Sequence, residues 1–444
     1  MSTKVDAPRW WVAFSGGPDS TVLLHLIQQW CVANPLLAPP LNAIHVDHGL
    51  QAQSVDWRAH CEELCQRWGI PLQVGLAAVV PTGLGLEAAA RKARYGAFEA
   101  HLGAGEVLFM GHHLDDQVET YFLRLLRGSG MQGLSAMPAN RGLGEGELCR
   151  PLLDIERQQL QAYAGAHQLV SIQDPSNDDI DIDRNYLRKE VLPLLDQRWS
   201  AYRQTVARAA EHAASSVALA DEYLPIAKTR YSNLGDPGLS VQSLQLGRPH
   251  TAMLILRRWL RAGGYEMPDQ SLLIEFLRQL REGGGNASPR MECADYALER
   301  YQSVVYVLPQ FAMQNALSFD SSSVCTSVSQ TTEIDAVGKL SFTESTDGVG
   351  LRLDQHDMLE LRWRQGGERC RPVGKPYQQR LKKLFQEHSV PPWWRERVPL
   401  LYLDGELLAV GDLWLCVSSR LVDDGTQQGS LWRLQWQRKA VSFD

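Results

Sequence analysis

From Trp10 to Ile27 the chain reads WWVAFSGGPDSTVLLHLI, and this stretch restricts the fold more than any other. Trp10 to Phe14 is an apolar run of strand length, and Thr21 to Trp30 places its apolar residues at helical spacing. Six residues join them: Ser15, Gly16, Gly17, Pro18, Asp19 and Ser20. The pattern predicts a strand, a tight glycine-rich turn and a helix N-terminus. Two glycines permit positive φ and close backbone approach, so successive N–H groups converge where the helix dipole adds positive charge. The guest suited to that cradle is a phosphate group.

The loop is neither GxxxxGK[ST], because no lysine precedes Ser20, nor GxGxxG. Its Ser-Gly-Gly-x-Asp-Ser pattern resembles the PP-loop of the ATP pyrophosphatases. That resemblance implies binding of ATP through Ser15, Gly16, Gly17, Pro18, Asp19 and Ser20. It also implies cleavage between the α and β phosphates and adenylation of an oxygen on a second substrate. The Ser15 and Ser20 hydroxyls can donate to pyrophosphate oxygens, and Asp19 can hold a magnesium ion that offsets their charge.

A chain of 444 residues suggests two to four domains at about 100–200 residues each. No apolar run approaches the roughly 20 residues that span a bilayer, and the N-terminus lacks a signal peptide's apolar segment. A cytoplasmic protein without membrane contact is expected. The eight cysteines include no CxxC pair, so free thiols are expected. Net charge is −7, so any contact with RNA must come from local basic patches.

Strand and helix signals alternate after the loop, which predicts a parallel sheet with ligands beyond the carboxyl ends of its strands. The loop and His45-Val46-Asp47-His48 should share that rim; His45 and His48 are read as packing beside a nucleotide, with metal ligation the alternative. Arg91 and Arg94 share a helix face, either as a solvated stripe or as phosphate or RNA contacts. Next comes GHHLDDQVET, residues 111–120. Asp115 is expected to cap the following helix, and Asp116 to face the same rim as Asp19, where magnesium would bridge ATP phosphates. Arg184, Arg188 and Lys189 form a local cationic face.

SGGPDS, HVDHGL, RKARYGAF, GHHLDDQVET, LLRGSGMQGLSAM, RPLL, DPSN and RNYLR occur in this order over about the first 200 residues. Together they resemble the tRNA(Ile)-lysidine synthetases; Gln51 and Ser171 depart from the usual pattern. The resemblance implies joining of L-lysine to C2 of the wobble cytidine, position 34, of the CAU anticodon of tRNA(Ile). The cytidine is first adenylated by ATP, AMP and pyrophosphate are released, and reading changes from AUG to AUA and from Met to Ile. Asp19 and Asp116 would hold magnesium. The lysine amine would be held or deprotonated by Asp115, Glu119 or His112. No obligate protein partner is expected.

The expected fold is α/β: a PP-loop domain over residues 1–200, a mostly helical connector and substrate-binding domain over 201–345, and a small α+β C-terminal domain over 346–444. The last contains a basic segment from Arg362 to Arg397, with ten Lys or Arg against three Glu, a net charge of +7. Arg369, Arg371, Lys382 and Lys383, with Arg184 and Arg188, are the candidate RNA contacts, and Trp393 and Trp394 suggest stacking on bases. A thiolase is the competing reading, but such enzymes use paired or catalytic cysteines, often CxxC, and no such pair is present.

Overall fold

The computed structural model describes residues 4–47, 54–76, 86–225, 227–245, 249–284, 287–309, 323–334, 338–346, 348–422 and 430–438. His48 and Gln51 lie outside them. The chain forms two compact units, Met1–Glu222 and Tyr223–Asp444.

In the first unit β1 (Trp10–Ala13), β2 (Leu41–Asp47), β3 (Leu72–Leu76), β4 (Val107–Phe109), β5 (Asn140–Leu143) and β6 (Gly146–Cys149) form a sheet ordered β3-β2-β1-β4-β6-β5. All pairings are parallel except β5 with β6. The crossovers include α1 (Pro18–Ala33), α2 (Ser54–Trp68) and α3 (Leu86–His101). α4 (Leu114–Leu126), α5 (Met131–Leu134), α6 (Arg157–Ala166), α7 (Asp183–Tyr186), α8 (Leu192–Arg198) and α9 (Tyr202–Tyr223) follow.

The near-continuous hydrophobicity of β1 follows from its central place, because helices cover both faces of a parallel sheet. Trp10, Val12 and Phe14 pack with α1 residues Val22, Leu23 and Ile27 on one face. Trp11 packs with Ile44, Phe98 and Leu108 on the other. The order also reverses direction at β1, since β2 lies on one side and β4 on the other, and this opens a crevice at the strands' carboxyl ends.

Two local expectations change. α1 begins at Pro18 rather than Thr21, so Asp19 and Ser20 belong to its first turn; proline tolerates that position because the N–H it lacks would be unpaired there. The N-cap of α4 is His113, not Asp115: the Asp116 carboxylate accepts the His113 backbone N–H at 3.1 Å.

Residues 201–345, expected to be mostly helical, hold helices and a sheet together. α10 (Val241–Gln245), α11 (Pro249–Ala262) and α12 (Gln270–Glu282) are present, but β7 (Thr229–Tyr231), β8 (Pro237–Ser240), β9 (Arg290–Glu292), β10 (Tyr296–Tyr301) and β11 (Val304–Pro309) form an antiparallel sheet ordered β7-β8-β11-β10-β9. The apolar faces of α11 and α12, including Trp259, Leu260, Phe276 and Leu280, require a partner, and Leu239, Leu298, Val305 and Val307 supply it. The opposite face of that sheet, through Ala297, Tyr306 and Leu308, enters a core with Phe385, Trp393 and Trp394.

Beyond these lie β12 (Val324–Thr326), β13 (Thr332–Ile334), β14 (Gly338–Glu344), β15 (Gly350–Arg352), β16 (Leu359–Arg362), β17 (Arg369–Cys370) and β18 (Gln379–Arg380), then α13 (Leu381–Glu387). β19 (Leu400–Leu403), β20 (Glu406–Val410), β21 (Trp414–Leu415), β22 (Leu421–Val422) and β23 (Leu431–Arg438) complete two five-stranded antiparallel sheets among the described residues. Cys370 and Cys416 are joined as a disulfide, contrary to the expectation of free thiols throughout. The Cα atoms of Cys370 and Cys416 lie 5.7 Å apart across 46 residues of chain, beside a backbone bridge between Pro372 and Cys416. Sequence spacing gives no sign of that approach. Among the described residues no helix is long and apolar enough to cross a membrane.

Candidate active site

The carboxyl ends of β1, β2 and β4 open into a cavity of about 500 Å³. Its lining includes Ser15, Gly17, Pro18, Asp19 and Ser20 from the loop and α1, His45 and Asp47 from β2, and Gly111, His112 and Asp116 beyond β4. Gly16 has φ +79°, so its conformation requires glycine, and a Cβ there would press on Ile172 Cδ1 at 2.9 Å and Cys61 Sγ at 3.0 Å. The turn is held by Ser15 Oγ and Ser20 Oγ at 3.0 Å and by the Ser20 hydroxyl donating to Gly17 O at 3.0 Å. Thr21 Oγ1 also donates to Gly17 O, at 2.9 Å.

The first turns of α1 and α4 meet across this rim. His113, 1% exposed, sets Nε2 at 3.6 Å from both Asp19 Oδ2 and Asp116 Oδ2. Burial alone would lower the His113 pKa, but the surrounding Asp19, Asp116 and Asp115 carboxylates outweigh it and raise the value. The role of His113 as the buried link between the two aspartates is absent from a reading of the sequence. Its only signal is that His113 follows His112, and neighbouring residues rarely share an environment.

Asp115 turns away from the cavity lining. Its Oδ2 accepts the Arg157 backbone N–H and its Oδ1 accepts Arg203 Nε, each at 2.8 Å, so it ties α4 to the starts of α6 and α9. Burial opposes ionisation, yet those two donors hold its pKa below the usual carboxylate value. Glu119 is fully buried and bound twice by Arg188, at 2.6 and 2.9 Å. Burial raises the Glu119 pKa against the opposing pull of Arg188.

Arg184 and Arg188 do not form an outward cationic face. Both line the cavity, with Arg184 Nε 3.5 Å from Glu119 and Arg188 Nη2 3.6 Å from Asp116. Arg91 and Arg94 line it too, as do Phe98 and Met110. His45 lines the cavity, 6% exposed with Nδ1 3.0 Å from Phe14 O. His112 also lines the cavity, and burial, with Arg150, Arg91 and Arg94 nearby, lowers its pKa to about 3 despite Asp116.

In the second unit Arg369, Arg371, Lys382 and Lys383 are exposed. Arg369 stands directly opposite Arg380 across β17 and β18, a like-charge pairing that is unfavourable by itself. Trp393 and Trp394 are buried, and their indole N–H groups donate to Asp236 at 3.2 and 2.9 Å, so neither is a stacking surface for bases. The exposed aromatic of this segment is Tyr377, at 62%.

A family model described as PP-loop domain matches residues 1–195. Models described as TilS substrate binding domain and TilS substrate C-terminal domain match residues 239–306 and 359–436. The chain is 39% identical over 430 residues to tRNA(Ile)-lysidine synthase from Serratia proteamaculans, covering 96% of this chain and 95% of that protein. It is 41% identical over 420 residues to the Pseudomonas putida protein of the same name, covering 93% and 94%. The chain belongs to the tRNA(Ile)-lysidine synthase family. The order of motifs from SGGPDS to RNYLR and the basic C-terminal segment are thus features of a lysidine synthase chain. A solved U34-tRNA thiolase, NcsA from Methanococcus maripaludis, aligns at TM-score 0.39 and 16% identity over 48% of this chain and 77% of that one, which decides nothing about a lysidine synthase's chemistry.

Proposed function

We propose that the protein ligates L-lysine to C2 of the wobble cytidine in the CAU anticodon of tRNA(Ile), at the expense of ATP. One observation carries this reading: the glycine-rich loop and the carboxylates of Asp19 and Asp116 line the same 500 Å³ cavity. The C2 oxygen of cytosine is a poor leaving group. In the first step that oxygen attacks the α phosphorus of ATP, the bond to the bridging oxygen breaks, and pyrophosphate departs. The lysine amine then attacks C2, the C2–O bond breaks, AMP leaves with both bonding electrons, and the amine loses a proton.

The loop's N–H groups and the Ser15 and Ser20 hydroxyls bind the departing pyrophosphate, where preformed donors stabilise growing charge at little reorganisation cost. Asp19 and Asp116 fit a magnesium ion, a hard cation that takes one or two carboxylates and completes its shell with phosphate oxygens and water. Bound there, magnesium neutralises phosphate charge. Arg184 and Arg188, lining the same cavity, suit the phosphates of the anticodon loop or of ATP. Asp116, in the cavity lining and 3.6 Å from Arg188, is the acidic group suited to the lysine amine, while Glu119 holds Arg188 in place from behind.

Residues 1–200 carry the chemistry in this reading, while 201–345 and 346–444 hold the tRNA. Arg369, Arg371, Lys382 and Lys383 supply phosphate contacts, and Tyr377 is the available stacking surface. The protein is incubated with ATP, labelled lysine and tRNA(Ile) bearing CAU. Label in the RNA, absent when the wobble base is uridine, is the expected result. An unlabelled RNA overturns the reading.

A further inference from the structure

Arg150 directly follows β6, and His112 lies just past β4, its parallel neighbour, in which Phe109 stands opposite Cys149. Arg150 is 4% exposed, and among the described residues no carboxylate pairs with it. Nη1 donates to Pro138 O at 2.8 Å, Nη2 reaches the Tyr95 hydroxyl at 3.5 Å, and Nε donates to His112 Nδ1 at 3.3 Å. A cation buried without an anion is costly, so its placement calls for a compensating role.

The hydrogen bond to His112 is directional in a way that distances alone do not convey. A guanidinium has only donors, so Nδ1 of His112 must accept. A neutral imidazole with Nδ1 as acceptor carries its proton on Nε2, and an imidazolium would set N–H against N–H. His112 Nε2 has no partner among the described residues, and the ring lines the cavity beside the loop, Asp19 and Asp116. The low pKa of His112 agrees with a ring kept neutral.

We propose that Arg150 is a positioning residue that holds His112 as the Nε2–H tautomer, making His112 a hydrogen-bond donor to a phosphate oxygen of the bound nucleotide rather than the base for lysine. The inference rests on the ATP-dependent ligation proposed above. It assigns the lysine proton to a carboxylate of the cavity and makes His112 part of the electrostatic stabilisation of the adenylyl group. A neutral donor serves there because it lends a proton without surrendering it.

The test uses the full chain labelled with 15N-histidine, with two-bond proton–nitrogen correlation reporting which ring nitrogen bears the proton and His112→Gln assigning the signal. Wild type should show Nδ1 unprotonated and Nε2 protonated. Arg150→Met should give a mixture of tautomers, and Arg150→Lys, which keeps a donor, should restore the original pattern. In single-turnover adenylation, His112→Gln, whose amide N–H stands near the position of Nε2–H, should stay within about tenfold of wild type. His112→Ala should lose about a hundredfold. A wild-type ring protonated on Nδ1, a spectrum unchanged by Arg150→Met, or Gln and Ala variants equally inactive would each overturn the proposal. If Arg150→Met does not fold, the wild-type spectrum and the two His112 variants still decide. Failure of wild type to label tRNA with lysine would instead sink the ligation reading, because the tautomer is read without turnover.

Discussion

Two adjacent aspartates in GHHLDDQVET perform different work, and the structure separates them by what their oxygens touch. Asp116 faces the cavity across His113 from Asp19, so Asp116→Asn should lower pyrophosphate release from ATP and tRNA by about a hundredfold and raise the magnesium concentration needed for half-maximal rate. Unchanged release would remove Asp116 from the phosphate site. Asp115 is instead a structural anchor between Arg157 and Arg203. Asp115→Asn should cost about 1.5–3 kcal/mol at pH 7, the range for hydrogen bonds to a charged group, seen as a lower urea midpoint. Its folded pKa is depressed, so its stabilisation is present above the unfolded value and lost as pH falls through the folded one. The gap between wild type and variant should therefore close on acidification; a gap constant from pH 7 to below the Asp range would refute the assignment. Asp19, Asp116 and His112 are legible in the sequence because each lies next to a strand-to-helix turn of a recognisable pattern. His113 and Arg150 are not, since their meaning comes from burial among residues brought from other strands.

At the scale of elements, the site depends on how closely β4 approaches α1. A Cβ on Gly111 would lie 3.0 Å from Asp19 O and 3.3 Å from Ser20 N, both backbone atoms of the first helical turn that cannot swing aside. Gly111→Ala should push that turn outward and weaken ATP binding by about tenfold or more by titration calorimetry, since small misplacements of a preorganised site are costly. Gly142→Ala, with nothing within 4 Å of its Cβ, should bind ATP as wild type does. Equal affinity in both variants would mean that the loop is not braced by Gly111. The parallel sheet was readable because its strands are apolar and separated by helical periods. The antiparallel sheet of β7 to β11 was not, since β7, β8 and β9 are only three or four residues long. Too few positions then alternate to show a period of two. Helices α11 and α12 show a strong apolar stripe, which reveals that they have a partner but not that the partner is a sheet.

The whole molecule carries a net charge of −7, so a polyanionic RNA is repelled on average, and binding must be won where positive charge is concentrated. The sequence showed that concentration between Arg362 and Arg397 but not its division of labour. Arg397 is 5% exposed and donates to Trp393 O, and Arg395 donates to Val390 O, so both brace the fold from within. Arg369, Arg371, Lys382 and Lys383 are exposed, and Arg369 stands opposite Arg380. The tryptophans were read as a stacking surface because a basic segment with neighbouring aromatics suits RNA, yet Asp236, distant in sequence, draws both indoles inward. These assignments make opposite predictions for salt. Replacing Arg369 and Lys382 with alanine should weaken tRNA binding and reduce the slope of log affinity against log salt by about 1.5, as for two lost phosphate contacts. Trp393→Ala should lower the melting temperature through a cavity in a shared core, and at a temperature where it stays folded its salt slope should match wild type. If the double variant keeps the wild-type slope while Trp393→Ala loses affinity without losing stability, the recognition surface lies on the indoles and not on the exposed cations.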